Sequence, residues 1–190
     1  MTLDGRVALV TGAAGGIGSA VCTHLARAGA SVALVDLDGA AAHALAGGMS
    51  DSCAGYTMDV SDSASVAAAI GAIESELGPV DILVNNAGID KIEKFVESVE
   101  DTWRKVVAVN YLGTVIVTRA VLDGMLQRGH GRIINIGSEA GRVGSAGEVV
   151  YSGTKGAIIA FGKALARETA TKGITVNTVC PGLTLSLIHI

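Results

Sequence analysis

Six short runs of β-forming residues alternate along this chain with helical patterns, and that strict alternation limits the folds open to it more than any other feature. The runs fall at residues 7–11, 31–36, 54–58, 80–84, 132–136 and 175–179; helical periodicity lies between them at 16–28, 40–46, 64–77, 102–127 and 151–171. Strands that are apolar throughout need cover on both faces, and helices placed between strands supply it. The pattern therefore predicts an α/β protein built on a doubly wound parallel sheet. No repeat, low-complexity tract or linker interrupts it, and 190 residues fit one domain. With 49% hydrophobic and 17% charged residues, the chain has ample material for a core.

The first strand runs directly into Gly12-Ala13-Ala14-Gly15-Gly16-Ile17-Gly18 and then into a helix. Glycines here let the backbone turn tightly, approach a pyrophosphate and leave the first helical amides, around Gly16, Ile17 and Gly18, facing it. A plain tight turn would use the same residues; the place between a buried strand and a helix start favours the nucleotide reading. The second strand ends at Asp36, eighteen positions past Gly18. A carboxylate there accepts hydrogen bonds from ribose hydroxyls and repels a phosphate, and the glycine loop carries no Arg or Lys to offset it. NAD is expected as cofactor in preference to NADP.

Tyr151 and Lys155 stand four apart at the start of the last helical pattern, which stacks them on one face. An ammonium beside a phenol favours the ionised phenol, giving a proton donor and acceptor usable near neutrality. Ser138 lies just beyond the end of the fifth strand, the edge where open parallel sheets bind ligands, and its hydroxyl can donate to a carbonyl oxygen. A loop or capping serine is the plainer alternative. Asn110, a polar amide inside an apolar helix, costs stability unless it is hydrogen-bonded.

Taken together these residues resemble the short-chain dehydrogenase/reductase family. The resemblance spans Val7 to Gly182: Thr11, Gly12, Gly16 and Gly18 match its nucleotide motif, Asp59 followed by Val60 its adenine-contacting position, Asn85-Asn86-Ala87-Gly88 its N-N-A-G motif, and Pro181-Gly182 its turn after the sixth strand. The resemblance implies a Rossmann-type sheet of order 3-2-1-4-5-6 and a catalytic set of Asn110, Ser138, Tyr151 and Lys155. It further implies cofactor contacts at Gly12, Gly16, Ile17, Gly18, Asp36, Asp59, Val60, Asn86, Ala87, Gly88, Tyr151, Lys155, Pro181 and Gly182. Lys155 would hold the nicotinamide ribose, and Asn110 a water linking Lys155 to solvent. The implied activity is hydride transfer between a nicotinamide cofactor and a secondary alcohol/ketone pair.

The loop from Ser138 to Glu148 is most similar to the branch containing 2-hydroxycyclohexanecarboxyl-CoA dehydrogenase and, more loosely, to 3-oxoacyl carrier-protein reductases. Arg142 is the one side chain there offering a charged fork to an anion, unless it pairs with Glu139 or Glu148. An acidic or thioester-linked substrate is expected, bounded by Ser138, Arg142 and Tyr151. The alternatives are an NADPH-dependent 3-oxoacyl carrier-protein reductase, a dinucleotide-binding protein without turnover, and a lyase, epimerase or dehalogenase on the same scaffold.

A net charge of −4 gives no reason to expect nucleic acid or an anionic membrane as partner. Cys22, Cys53 and Cys180 have neither pairing parity nor ligand spacing, so no metal is expected; with a start that lacks an export signal, they suggest the cytoplasm. The apolar stretch 106–118 rises only ~20 Å as a helix, short of a ~30 Å hydrocarbon core. A helix apolar around most of its girth must bury a second side, so it and the helix after Tyr151 are expected to form a symmetric subunit interface, which the family resemblance implies to be that of a homodimer or homotetramer of the full-length protein.

The family continues past Pro181-Gly182 into a lid and a seventh strand, whereas this chain ends in Leu185-Ser186-Leu187-Ile188-His189-Ile190, which is similar to a translated sequencing adapter. Residues 1–184 are thus expected to be one incomplete domain and 185–190 foreign to it, with His189 no catalytic base and turnover poor.

Overall fold

The computed structural model describes residues 2–182; the ending at 183–190, including the segment expected to be foreign, lies outside the described residues. Six parallel strands form one sheet in the order β3-β2-β1-β4-β5-β6. They are β1 (Val7–Thr11), β2 (Ser31–Asp36), β3 (Cys53–Thr57), β4 (Ile82–Asn85), β5 (Gly131–Ile136) and β6 (Ile174–Val179). The order reverses between β1 and β4, which opens a crevice at their carboxyl ends.

Every residue of β1 and of β4 is buried, as a central strand covered on both faces requires. On one face Leu9, Ala33, Leu83 and Ile133 pack with Val66, Ile70 and Ile73 of α3 (Ser63–Glu76), Val117, Val121 and Met125 of α5 (Gly113–Arg128), and Leu165 of α7 (Val149–Thr169). On the other, Ala8, Val10, Val32, Leu34, Ile82 and Val84 meet Cys22 of α1 (Gly16–Arg27) and Ala46 of α2 (Gly39–Gly47). Period-two alternation along each strand sends neighbours to these two cores.

Helix starts differ in a way that matters for the site. Asp38 caps α2 by accepting from the Ala41 amide at 3.0 Å, and Asp62 caps α3 by accepting from Ala64 at 3.0 Å. Helix α1 begins after Gly15 with no side-chain cap and no acidic residue in its first turn, so its leading amides face the crevice unoccupied by side chains.

Three departures from the sequence reading have local causes. Residues 80 and 81 precede β4 because Asp81 binds across to β1, its amide donating to the Val7 carbonyl and its carboxylate accepting from the Val7 amide at 3.2 Å. The helix expected at 102–127 runs from Glu100 to Arg128, as α4 (Glu100–Val107), a π-helical turn (Ala108–Leu112) and α5. At 29 residues it is long and apolar enough to cross a bilayer, yet it packs on the sheet and buries Asn110, Thr114 and Thr118 with its apolar side chains. A short helix, α6 (Ala140–Val143), appears in the loop read as irregular.

Leu83, with 0% exposure at the centre of the sheet, tests the core. Leu83→Ala is expected to lower unfolding free energy by ~2–5 kcal/mol in urea titration.

Candidate active site

The glycine turn is held from beneath. Thr11 Oγ1 accepts from the amides of Asn86 and Ala87, each at 3.0 Å, while Asn86 Nδ2 returns bonds to the carbonyls of Thr11 (2.9 Å) and Gly12 (3.0 Å). Side chains are excluded where the turn closes. Gly12 has φ +63°, and a Cβ on Gly18 would lie 2.9 Å from the Cα of Ala13 and closer still to the carbonyl of Gly12. Gly16 has open space before it. Asp36 closes this end of the crevice, accepting from Ala14 at 3.0 Å and Asp38 at 3.1 Å, which fixes its carboxylate in place. Asp59 is fixed likewise by Ser61 through amide (2.8 Å) and hydroxyl (2.6 Å).

A continuous cleft of about 710 Å³ follows. It is lined by Gly12, Gly16, Ile17, Gly18, Asp36, Asp59, Val60, Asn86, Ala87, Gly88, Ser138, Tyr151, Lys155, Pro181 and Gly182. Open amides at the helix start, close backbone at Gly12 and Gly18, and a fixed carboxylate at Asp36 fit an NAD-like dinucleotide, whose pyrophosphate needs donors and whose ribose needs an acceptor. Of the residues expected at the site, Asn110 and Arg142 are the two that do not line the cleft.

At the far end Ser138, Tyr151 and Lys155 converge. Ser138 Oγ accepts from the Ala140 amide at 3.1 Å, a bond within its own loop that leaves the hydroxyl able to donate its proton. The Lys155 ammonium, 4% exposed, donates to the Ile136 carbonyl at 2.8 Å and lies 5.5 Å from the centre of the Tyr151 ring. Burial lowers its pKa to about 8.

The ionisation of Tyr151 corrects the sequence reading. Lys155 was expected to acidify it, but the phenol is pushed above its ordinary value, first by burial and further by the carboxylates of Asp90 and Glu148, with the hydrogen bond of Ser138 pulling the other way. The ammonium is directed at Ile136 instead.

Asn110 sits in the π turn, fully buried. Its Oδ1 accepts from the Ile89 amide at 2.8 Å, and its Nδ2 donates to the Ile89 carbonyl (2.9 Å) and to Thr154 Oγ1 (3.2 Å). Both amide atoms bond the protein, so the side chain braces the loop after β4. It remains beside Lys155: a Cβ on Gly88 would lie 3.4 Å from Asn110 Oδ1 and 3.5 Å from Lys155 Nζ. Arg142 is also corrected. Its guanidinium pairs with Glu139 at 3.0 Å and borders a separate cavity of about 870 Å³ between α6, α7 and β6, away from Tyr151.

Sequence reasoning missed Asp90, Lys105 and Glu148. Asp90 and Lys105 line the cleft, and Glu148 shares a small adjoining cavity with Asp90 and Tyr151. Asp90 stands two residues past the N-A-G turn and Glu148 one helical turn before Tyr151, so position alone could have flagged both.

The chain matches the short chain dehydrogenase family over residues 6–189. It is 42% identical over 182 residues to a 3-oxoacyl-[acyl-carrier-protein] reductase of Vibrio cholerae, covering 96% of this chain and 75% of that protein. It is 41% identical over 187 residues to a D-threitol dehydrogenase of Mycolicibacterium smegmatis, covering 97% and 72%. A crystal structure of 3-ketoacyl-(acyl-carrier-protein) reductase from Brucella melitensis complexed with NADH superposes with a TM-score of 0.93 at 35% identity, covering 95% of this chain and 76% of that one.

Because the folded pKa of Lys155 lies near 8, below the ordinary 10.5, the unfolded chain binds more protons between those values. The stability traceable to Lys155 is therefore reduced below pH 8 and recovers as pH rises. Relative to Lys155→Met, the native chain is expected to gain stability from pH 8 to 10 in denaturant titrations at each pH.

Proposed function

The chain belongs to the short-chain dehydrogenase family, NAD(P)-dependent oxidoreductases of carbonyl and alcohol groups, and within it we propose an NAD(H)-dependent enzyme that interconverts the 3-oxo and 3-hydroxy forms of an acyl thioester. The observation that carries the reading is the meeting of Ser138, Tyr151 and Lys155 at one end of a cleft whose other end presents the Asp36 carboxylate. A fixed negative charge at Asp36 opposes the extra phosphate of NADP and accepts bonds from an unmodified ribose. The NADH in the similar Brucella reductase supports the same choice. The thioester rests on the reductases this chain resembles and on the loss of Arg142 as an anion site, which removes the argument for a free acid.

When bound, the nicotinamide supplies or accepts the hydride. Tyr151 passes a proton to the substrate oxygen in reduction, and its raised pKa keeps that proton in place until needed. Ser138 donates to the same oxygen, steadying the charge that develops there. Lys155, anchored on Ile136, is placed to meet ribose hydroxyls. Asn110 holds the loop that forms the wall between them.

NADH oxidation with a 3-oxobutyryl thioester, with D-threitol and NAD as the comparison pair, tests this. Thioester turnover with NADH is expected to exceed that with NADPH, and Tyr151→Phe to lower kcat by roughly 10²–10⁴-fold. Tighter NADPH binding, or turnover unaffected by Tyr151→Phe, would overturn the proposal; preference for the tetritol would reassign the substrate, and binding without turnover would favour a non-catalytic protein.

We also propose a homo-oligomer. Val107, Leu112 and Leu126 on the long helix remain exposed, at 37%, 47% and 38%, as a face awaiting cover. Sedimentation is expected to show a species larger than a monomer at micromolar concentration, and Leu112→Lys to shift it toward monomer.

A further inference from the structure

We propose that Asn85 and Asn135 are a positioning pair for Lys155: the bond between their side chains fixes where β4 and β5 part, and so leaves the Ile136 carbonyl open to receive the ammonium. The consequence for dinucleotide binding rests on the reading of Lys155 as the group that meets the ribose hydroxyls.

Asn85 ends β4 and stands opposite Asn135 in the last rung that joins β4 to β5. Asn85 Nδ2 donates to Asn135 Oδ1 at 2.9 Å and, with its second proton, to Thr118 Oγ1 of α5 at 2.9 Å. All three residues are buried. Beyond this rung the strands diverge. Asn86 turns to the glycine loop and bonds the carbonyls of Thr11 and Gly12, while β5 continues beside β6, the Gly137 amide donating to the Val179 carbonyl at 2.7 Å.

Strand geometry decides which carbonyl this frees. Backbone groups of successive residues in a strand point to opposite neighbours. The Arg132 amide donates to Asp81 on the β4 side and the Gly137 amide to β6, so Ile136, an even number of residues from Arg132, faces β4. Because β4 ends opposite Asn135, the Ile136 carbonyl has no strand beside it on that side, and the Lys155 ammonium takes it at 2.8 Å.

Helix α7 meets the pair a second time. Gly162 stands two turns past Lys155 on the same face, and a Cβ there would lie 3.2 Å from Asn135 Nδ2 and 2.6 Å from Thr178 Oγ1. Asn135 thus lies against α7 at Gly162, and its neighbour Ile136 binds the same helix at Lys155.

The pair is kept at a cost to stability. Asn85 Oδ1 and Asn135 Nδ2 are the buried side-chain polar atoms without a partner among the described residues. Two apolar side chains of similar shape would join the strands without that penalty, so packing alone does not account for amides here. What the amides add is direction, a contact of set length and angle at the point of parting.

Acetylation by a short pulse of acetic anhydride, read lysine by lysine by mass spectrometry on the whole chain without dinucleotide, measures the anchoring. Buried Lys155 is expected to label slowly against exposed Lys163 of the same helix, and roughly tenfold faster in Asn135→Leu. The double variant Asn85→Leu/Asn135→Leu, which leaves neither amide unpaired and guards against failure of the single variant to fold, is expected to label fast as well. Leu83→Ala weakens the same sheet without removing the pair and should keep the slow rate. In calorimetry, Asn135→Leu is expected to raise the Kd for NADH roughly tenfold in the native chain and to change it little in Lys155→Met. An unmoved Lys155 rate in Asn135→Leu, a native rate in the double variant, an equal rise in Leu83→Ala, or additive losses of NADH affinity overturns the proposal. Labelling needs neither dinucleotide nor substrate, so it decides the anchoring whatever the thioester assay returns.

Discussion

A single run of hydrogen bonds joins the two ends of the cleft. It starts at Thr11 and Asn86, which exchange bonds beneath the glycine turn. Three residues further along the loop, Ile89 is taken by both amide atoms of Asn110. Asn110 continues to Thr154, whose hydroxyl donates to the Tyr151 carbonyl at 2.7 Å. The turn suited to a pyrophosphate and the helix carrying Tyr151 and Lys155 are therefore parts of one braced frame. Distances that catalysis needs within about 0.5 Å are held by these bonds.

That frame demands buried polarity. Asn110 at 0% exposure and Lys155 at 4% would each be costly in a core if left alone. Asn110 is repaid by three bonds, whereas Lys155 has the one bond to Ile136 and retains a lowered pKa as the mark of its desolvation. Stability is given up at Lys155 to keep a donor in the cleft, a common feature of sites shaped for function.

The alternation of strands and helices, the glycine turn and the Tyr151–Lys155 pair were legible because each has a local signature: apolar periodicity, glycine at a strand–helix junction, and four-residue helical spacing; the sheet order and the joining of Ser138 to that pair came from the family resemblance. Element ends moved by one or two residues where pairing across strands decided them, as at Asp81. The electrostatics of Tyr151 were not legible, since spacing shows Lys155 beside the phenol but not that Ile136 captures the ammonium or that Asp90 and Glu148 arrive from separate loops. Arg142 misled for the same reason: its partner Glu139 was visible in the sequence, but which way the pair would turn was set by α6.

The π turn at Ala108–Leu112 has a consequence for how this helix can change over evolutionary time. Its extra residue offsets the two halves by ~100° relative to an unbroken α-helix, so Lys105 reaches the cleft, Asn110 reaches Ile89 and Val117 reaches the sheet along one rod. Substituting a side chain there alters only that side chain's own contacts. Deleting one residue would restore regular winding and rotate everything downstream away from its partner, so the helix is free to drift in composition while its length stays locked.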